Sequence, residues 1–221
     1  MTAEQMPLDL PVRPARGRDA FMVAPSNAVA LGLVDRWPDW PGGRLALVGP
    51  EGAGKSHLAG VWAERADALV IAAADLGGTD PVALGARAVA VEDVDAPGAG
   101  LDDAALFHLW NAQGAQGGSL LLTGRRAPAL WPVRLPDLAS RLHSLTPAAI
   151  EAPDDRLMAA LLVKHFADRQ LRVAPALIDW LVPRMERSAA AAASLAARLD
   201  REALARGVPP SRALARELLG L

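Results

Sequence analysis

Short apolar runs alternate with longer amphipathic stretches through the first 150 residues or so, and then the short runs stop. Arg44 to Val48, Leu69 to Ala73, Ala88 to Val91, Ser119 to Thr123 and a last run near Leu145–Ile150 are too short for helices and read as strands. Runs this uninterrupted suit strands buried on both faces. Between them, helical spacing marks a stretch from Ser26, taken as N-cap, to Trp37, then Ser56 to Ala66, Leu101 to Ala115 and Leu135 to Leu142. Strands alternating with helices predict an α/β fold with a five-stranded parallel sheet covered on both sides. After Pro153, four helical stretches (154–170, 174–185, 188–207 and 209–219) follow with no strand among them. The expected division is a flexible arm over 1–17, an α/β domain over 18–152 and a small all-α domain over 153–221.

Composition narrows the picture. Of 221 residues, 52% are hydrophobic, which is enough to fill a core and excludes global disorder. No apolar run approaches the roughly 20 residues that span a bilayer, and the start of the chain lacks the basic-then-apolar order of a secretory signal. With no cysteine there is no disulfide frame, and a cytoplasmic location is expected. A net charge of -2 argues against strong, charge-driven binding of bare DNA.

The chemistry enters between the first strand and the helix after it. Gly49-Pro50-Glu51-Gly52-Ala53-Gly54-Lys55-Ser56 is a full match to the phosphate-loop pattern G-x-x-x-x-G-K-S/T. Its glycines let backbone N–H groups turn inward around phosphates while the following helix aims its positive end at them. Lys55 would neutralise β/γ charge and the Ser56 hydroxyl would ligate magnesium. The third strand ends in acids, Glu92 and Asp93, where a carboxylate can hold the same metal through water. Thr123 stands at the tip of the fourth strand. A polar side chain there suits a water beside the γ-phosphate, and an ordinary strand end looks the same.

Several segments together resemble the AAA+ family and, within it, the DnaA-related replication proteins. They are 18–30 (RDAFMVAPSNAVA), 49–58 (GPEGAGKSHL), 91–95 (VEDVD), 106–113 (LFHLWNAQ), 119–131 (SLLLTGRRAPALW) and 135–142 (LPDLASRL). The similarity is greatest to the Hda group, the regulatory inactivators of DnaA. That group lacks the DNA-reading domain of the initiator and carries a sliding-clamp peptide of the form Q-x-x-L-x-L, which Gln5, Met6, Leu8 and Leu10 resemble. Physically, Gln5 would hydrogen-bond at one edge while the three apolar side chains fill pockets.

The resemblance implies an AAA+ P-loop NTPase fold with a helical lid, binding ADP or ATP with Mg2+. Phe21, Val23 and Asn27 would lie beside the base, Gly49 to His57 around the phosphates, and Asp93 and Thr123 at the hydrolytic centre. Arg141 matches the position of an arginine finger. The implied partners are DnaA and the DNA polymerase III sliding clamp, with DNA reached only through the clamp.

Two positions depart from the family pattern: Glu92-Asp93 stands for the usual pair of aspartates, and the lid arginine falls at Ala190, with Arg187 about one turn earlier. Arg187 either reaches the phosphates or is a solvated charge on a helix surface. The rival readings are a stand-alone P-loop ATPase or kinase and a helicase-loader-like protein. For Arg141 itself, the plain alternative is a surface ion pair on a short helix.

Overall fold

The computed structural model describes residues 21–98 and 100–221, which form two compact units, 21–152 and 153–221. The arm with Gln5, Met6, Leu8 and Leu10 lies outside the described residues.

Residues 21–152 hold five strands: β1 (Arg44–Val48), β2 (Leu69–Ala72), β3 (Val89–Glu92), β4 (Leu120–Gly124) and β5 (Pro147–Ala149). All pairings are parallel and the order across the sheet is β2-β3-β4-β1-β5. Side chains of a strand point alternately to opposite faces, and the core divides accordingly. Leu45, Leu47, Ala90, Leu121 and Ala148 pack with α1 (Pro25–Asp35) and α2 (Lys55–Ala66). Ala46, Val48, Val89, Val91, Leu120 and Leu122 pack on the other side with α3 (Asp103–Gln116) and α4 (Pro136–His143). The uninterrupted apolar runs are thus explained by two covered faces, and the five-stranded parallel sheet is the one the sequence predicts.

One helix start differs from expectation. Ser26 is not an N-cap: α1 begins at Pro25, with Ala24 as the flanking residue and Ser26 buried inside the first turn. The capping interaction comes instead from Asn27, whose side-chain oxygen accepts from the Ala24 amide at 2.9 Å while its side-chain nitrogen donates to the Met22 carbonyl at 2.9 Å. Proline suits the first helical position because its missing N–H would have had no partner there.

Residues 153–221 form four helices, α5 (Asp155–Asp168), α6 (Pro175–Leu181), α7 (Ala189–Arg206) and α8 (Arg212–Leu219), around their own apolar cluster centred on Met158, Leu162, Phe166 and Leu199. Side-chain oxygens of Asp154, Ser188 and Ser211 cap α5, α7 and α8. Helix α6 is shorter than the sequence suggests. It tightens into a single 3-10 turn at Val182–Arg184, where Pro183 cannot supply a helical N–H. No helix among the described residues is long and apolar enough to cross a membrane.

Candidate functional site

The loop after β1 is forced into its course by two glycines. A β-carbon on Gly49 would lie 2.3 Å from the Ile150 carbonyl oxygen, so only hydrogen fits. Gly54, the residue before α2, has φ +102°, a conformation that side chains resist. The loop therefore delivers Lys55 as the first residue of α2, where the leading backbone N–H groups have no partners within the helix. No acidic residue stands in that first turn, so nothing there offsets the attraction of the helix end for an anion.

Lys55 is only 7% exposed, an unusual setting for a lysine. Its Nζ donates to the carbonyls of Gly49 (2.8 Å) and Pro50 (3.0 Å). Burial pushes its pKa below the ordinary value. Asp93 is the strongest opposing influence, while Arg125 adds to the depression and Asp95 and Glu51 oppose it. These four residues mark out the electrostatic surroundings of the loop. Ser56 is exposed on the same helical turn.

The acidic turn after β3 is fixed by β4. The Thr123 hydroxyl accepts from the Asp93 amide at 3.0 Å, and the Thr123 carbonyl accepts from Val94 N at 2.9 Å. Asp93 itself has φ +59°, an uncommon left-handed conformation that aspartate tolerates better than most residues. Strain of this kind, held by its neighbours, is common at functional sites. Thr123 is fully buried, so any influence on a phosphate would run through Asp93. One carboxylate oxygen of Glu92, Oε1, is buried without a hydrogen-bond partner, and such an acceptor suits a cation or its water. Among the described residues no cluster of three or more acidic, histidine or cysteine side chains could hold a metal alone. Magnesium seldom needs one, since it takes one or two carboxylates and completes its shell with phosphates and water.

Ahead of α1, Phe21 is buried in the same apolar cluster as Ala53 and meets His57 edge-on, with ring centroids 5.3 Å apart. A β-carbon on Gly54 would lie 3.9 Å from the Phe21 ring. Phe21 and His57 thus stand at the phosphate loop, while Val23 is 57% exposed and Asn27 serves as the internal clasp of the segment.

Arg141 lies on α4 and reaches across to α3. Its guanidinium sits 4.6 Å from the centroid of the Phe107 ring and donates to the Asn111 side-chain oxygen. It makes no ion pair among the described residues, so the surface salt bridge is not what holds it.

Two residues of the site went unread in the sequence, Asp95 and Arg125. The Asp95 carboxylate is buried and accepts from the amides of Arg125 (2.6 Å) and Arg126 (3.0 Å). The Arg125 guanidinium pairs with Glu51 of the phosphate loop at 2.9 Å.

Neither a protein-family model nor a curated protein matches the chain. Solved structures do. Domain III of the Thermotoga maritima replication initiation protein DnaA is similar with a TM-score of 0.78 at 18% identity, over 96% of this chain and 98% of that one. AMPPCP-bound DnaA from Aquifex aeolicus gives 0.68 at 16% identity, over 88% and 69%. The Thermotoga maritima RuvB Holliday junction branch migration motor gives 0.68 at 14%, over 94% and 72%. The fold is that of an AAA+ P-loop NTPase. Within this AAA+ fold, β1, β3 and β4 end side by side and bring together Lys55, Glu92, Asp93, Thr123 and Arg125.

Arg187 belongs to the helical unit. It donates to the Pro153 carbonyl at 3.2 Å and pairs with Asp155, so it is not simply solvated. Ala190 lies in the first turn of α7 and offers no charge.

Proposed function

We propose that this chain binds a purine nucleotide with Mg2+ at the phosphate loop and regulates the initiation of chromosome replication, in the manner of the Hda group. The observation that carries the nucleotide reading is the buried ammonium of Lys55 at the head of α2. A charge taken out of water costs several kcal/mol unless it is compensated, and a polyphosphate compensates it. Magnesium, when bound, neutralises β- and γ-phosphate oxygens; Ser56 and the Glu92–Asp93 pair are the groups that would hold it. The loop amides orient the phosphates, Phe21 and His57 flank the base side, and Thr123 fixes Asp93 where a hydrolytic water would be polarised.

The regulatory half of the reading rests on Arg141. A guanidinium laid on an aromatic face and free of ion pairs among the described residues is available to a second molecule. Offered to ATP on a neighbouring DnaA, it would stabilise charge in the transition state of hydrolysis and leave the initiator in its ADP form. The Gln5–Leu10 peptide would tether the protein to the sliding clamp, in the cytoplasm at the nucleoid. The test combines clamp and initiator. Wild type should stimulate hydrolysis of DnaA-bound ATP on clamp-loaded DNA. Replacing Gln5, Leu8 and Leu10 with Ala should abolish clamp binding by surface plasmon resonance and leave ADP affinity unchanged. A wild type without clamp affinity overturns the tether, and one without stimulation overturns the regulatory role.

A further inference from the structure

Helix α3 carries two guanidiniums that no carboxylate balances among the described residues. Phe107 and Trp110 stand three residues apart, so their rings are neighbours on one helix face. Arg141 of α4 lies 4.6 Å from the Phe107 centroid, and Arg44, the first residue of β1, lies 4.2 Å from that of Trp110. Arg44 is held in place by its own bonds, Nη1 donating to the Gly42 carbonyl and Nη2 to the Trp110 carbonyl, both at 2.9 Å. Neither arginine makes an ion pair among the described residues. Arg44 opens β1 and the phosphate loop closes it, so this cationic face stands at the opposite edge of the sheet from Lys55.

The position of Arg44 is costly on three counts. Burial lowers its pKa and the Arg141 charge lowers it further, so the two guanidiniums repel each other. Its Nε is buried without a hydrogen-bond partner, and an unpaired buried donor destabilises the fold. Position 114, inside the last turn of α3, is a glycine, a poor helix former; a β-carbon there would lie 2.7 Å from Arg44 Nη2 and displace the guanidinium. Local breaches of stable packing gather at functional sites. An anion between the two cations offsets the repulsion, and donors remain for it. Nη1 and Nη2 of Arg44 each keep a second N–H, and Arg141 spends one donor on Asn111. Two guanidiniums are balanced by a terminal phosphate, which carries a charge of about −2 and three oxygens, better than by a singly charged carboxylate or phosphodiester.

We propose that Arg44 joins Arg141 in a second phosphate site on the α3 face, a two-guanidinium seat for a terminal, doubly charged phosphate, separate from the phosphate loop. The source of that phosphate, a nucleotide on a second molecule, rests on the reading of Arg141 given above; the seat itself stands on the residues of α3, α4 and β1. Arg44 fixes one side of the seat through its two carbonyl bonds, and Gly114 leaves the room it needs.

Calorimetric titration of the full chain carrying Lys55→Ala with inorganic tripolyphosphate tests it, since that substitution takes the phosphate loop out of the measurement. Binding should persist, and adding Arg44→Met or Arg141→Met should weaken it about tenfold or more, the loss expected for charge-assisted hydrogen bonds. Gly114→Ala, which favours the helix while displacing Arg44, should weaken it about threefold with both charges retained. Melting curves verify each fold, and Arg44→Met, which removes a buried and repelled charge, should not lower the melting temperature. A short oligothymidylate, whose phosphates are singly charged, should bind at least about tenfold more weakly than tripolyphosphate. Absence of tripolyphosphate binding, or equal affinity with and without Arg44→Met, would overturn the seat. Oligothymidylate binding as tightly, and lost with the same substitutions, would overturn the terminal phosphate in favour of a nucleic-acid strand. Binding that depends on Arg44 and Arg141, in a wild type that does not stimulate DnaA, would uphold the seat and overturn only the regulatory reading.

Discussion

The phosphate loop keeps its cation inside and the α3–α4 face keeps its cation outside. Lys55 is buried, drawn onto two carbonyls of its own loop, and surrounded by charges from β3, β4 and the loop itself. Arg141 is spread across a neighbouring helix on an aromatic ring and an amide, with no carboxylate paired to it among the described residues. A buried lysine is costly without a compensating charge, so in the proposed reading its partner is an anion brought into the loop. An arginine stacked on a phenylalanine keeps donors to spare, so its partner can be on another molecule. The two cations serve different nucleotides in the reading above, and substitutions at each separate the roles.

The largest effect is expected at Arg141. Arginine fingers are worth about 10³–10⁵ in rate, so Arg141→Ala should lower stimulated hydrolysis of DnaA-bound ATP by about 10³ while its own ADP affinity is unchanged by calorimetry. Arg141→Lys should restore little, since a point charge on a flexible stem does not reproduce a planar fork of donors. If Arg141→Ala instead loses its own nucleotide affinity, both cations serve one site and the contrast collapses.

Lys55→Ala comes next. Removing a charge-assisted contact to phosphate should weaken ADP binding by about 100-fold, with little change in melting temperature measured without nucleotide. Unchanged affinity for both ADP and ATP would remove the phosphate-loop assignment.

The smallest effect sharpens the outer half of the comparison. Phe107→Leu keeps an apolar side chain of similar volume under Arg141 and removes the aromatic face. Such a stack contributes about 0.5–1 kcal/mol at exposed sites, so stimulated hydrolysis should fall by about threefold, read in the same assay as Arg141→Ala. No change would mean that Asn111 alone positions the guanidinium.

The difference between these regions also decides what could be read in advance. Lys55, Ser56 and their glycines sit at fixed spacing on one continuous stretch, and the strand–loop–helix order around them follows from short apolar runs and a helical period. Leu120, Leu121 and Leu122 announce a buried strand because both faces of the sheet are covered. Asp95 and Arg125 carry no such signal, because their meeting depends on β3 and β4 lying side by side, thirty residues apart in sequence. An aspartate two residues past an acidic strand end looks like any turn residue until its burial is seen. The Ser26 cap failed for a related reason. Serine is a good cap in general, but here Pro25 already occupies the first helical position and Asn27 closes the turn from inside. In α4 the sequence places Arg141 on a helix, but the aromatic ring beneath it comes from Phe107 on another.

The strand order carries a consequence for synthesis. β1 lies between β4 and β5, and its first residue, Arg44, pairs with Leu120. When β1 leaves the ribosome, neither of the strands that will flank it has been made. At about 5–20 residues per second, several seconds pass before β4 follows. For that interval the phosphate loop has no floor: the Gly124 carbonyl that fixes Gly49, the Thr123 hydroxyl that fixes Asp93 and the arginine that meets Glu51 are all still to come. If the chain binds a nucleotide as proposed, it would not do so until β4 has docked, and capture of the ligand by a ribosome-bound chain would time the closure of the sheet.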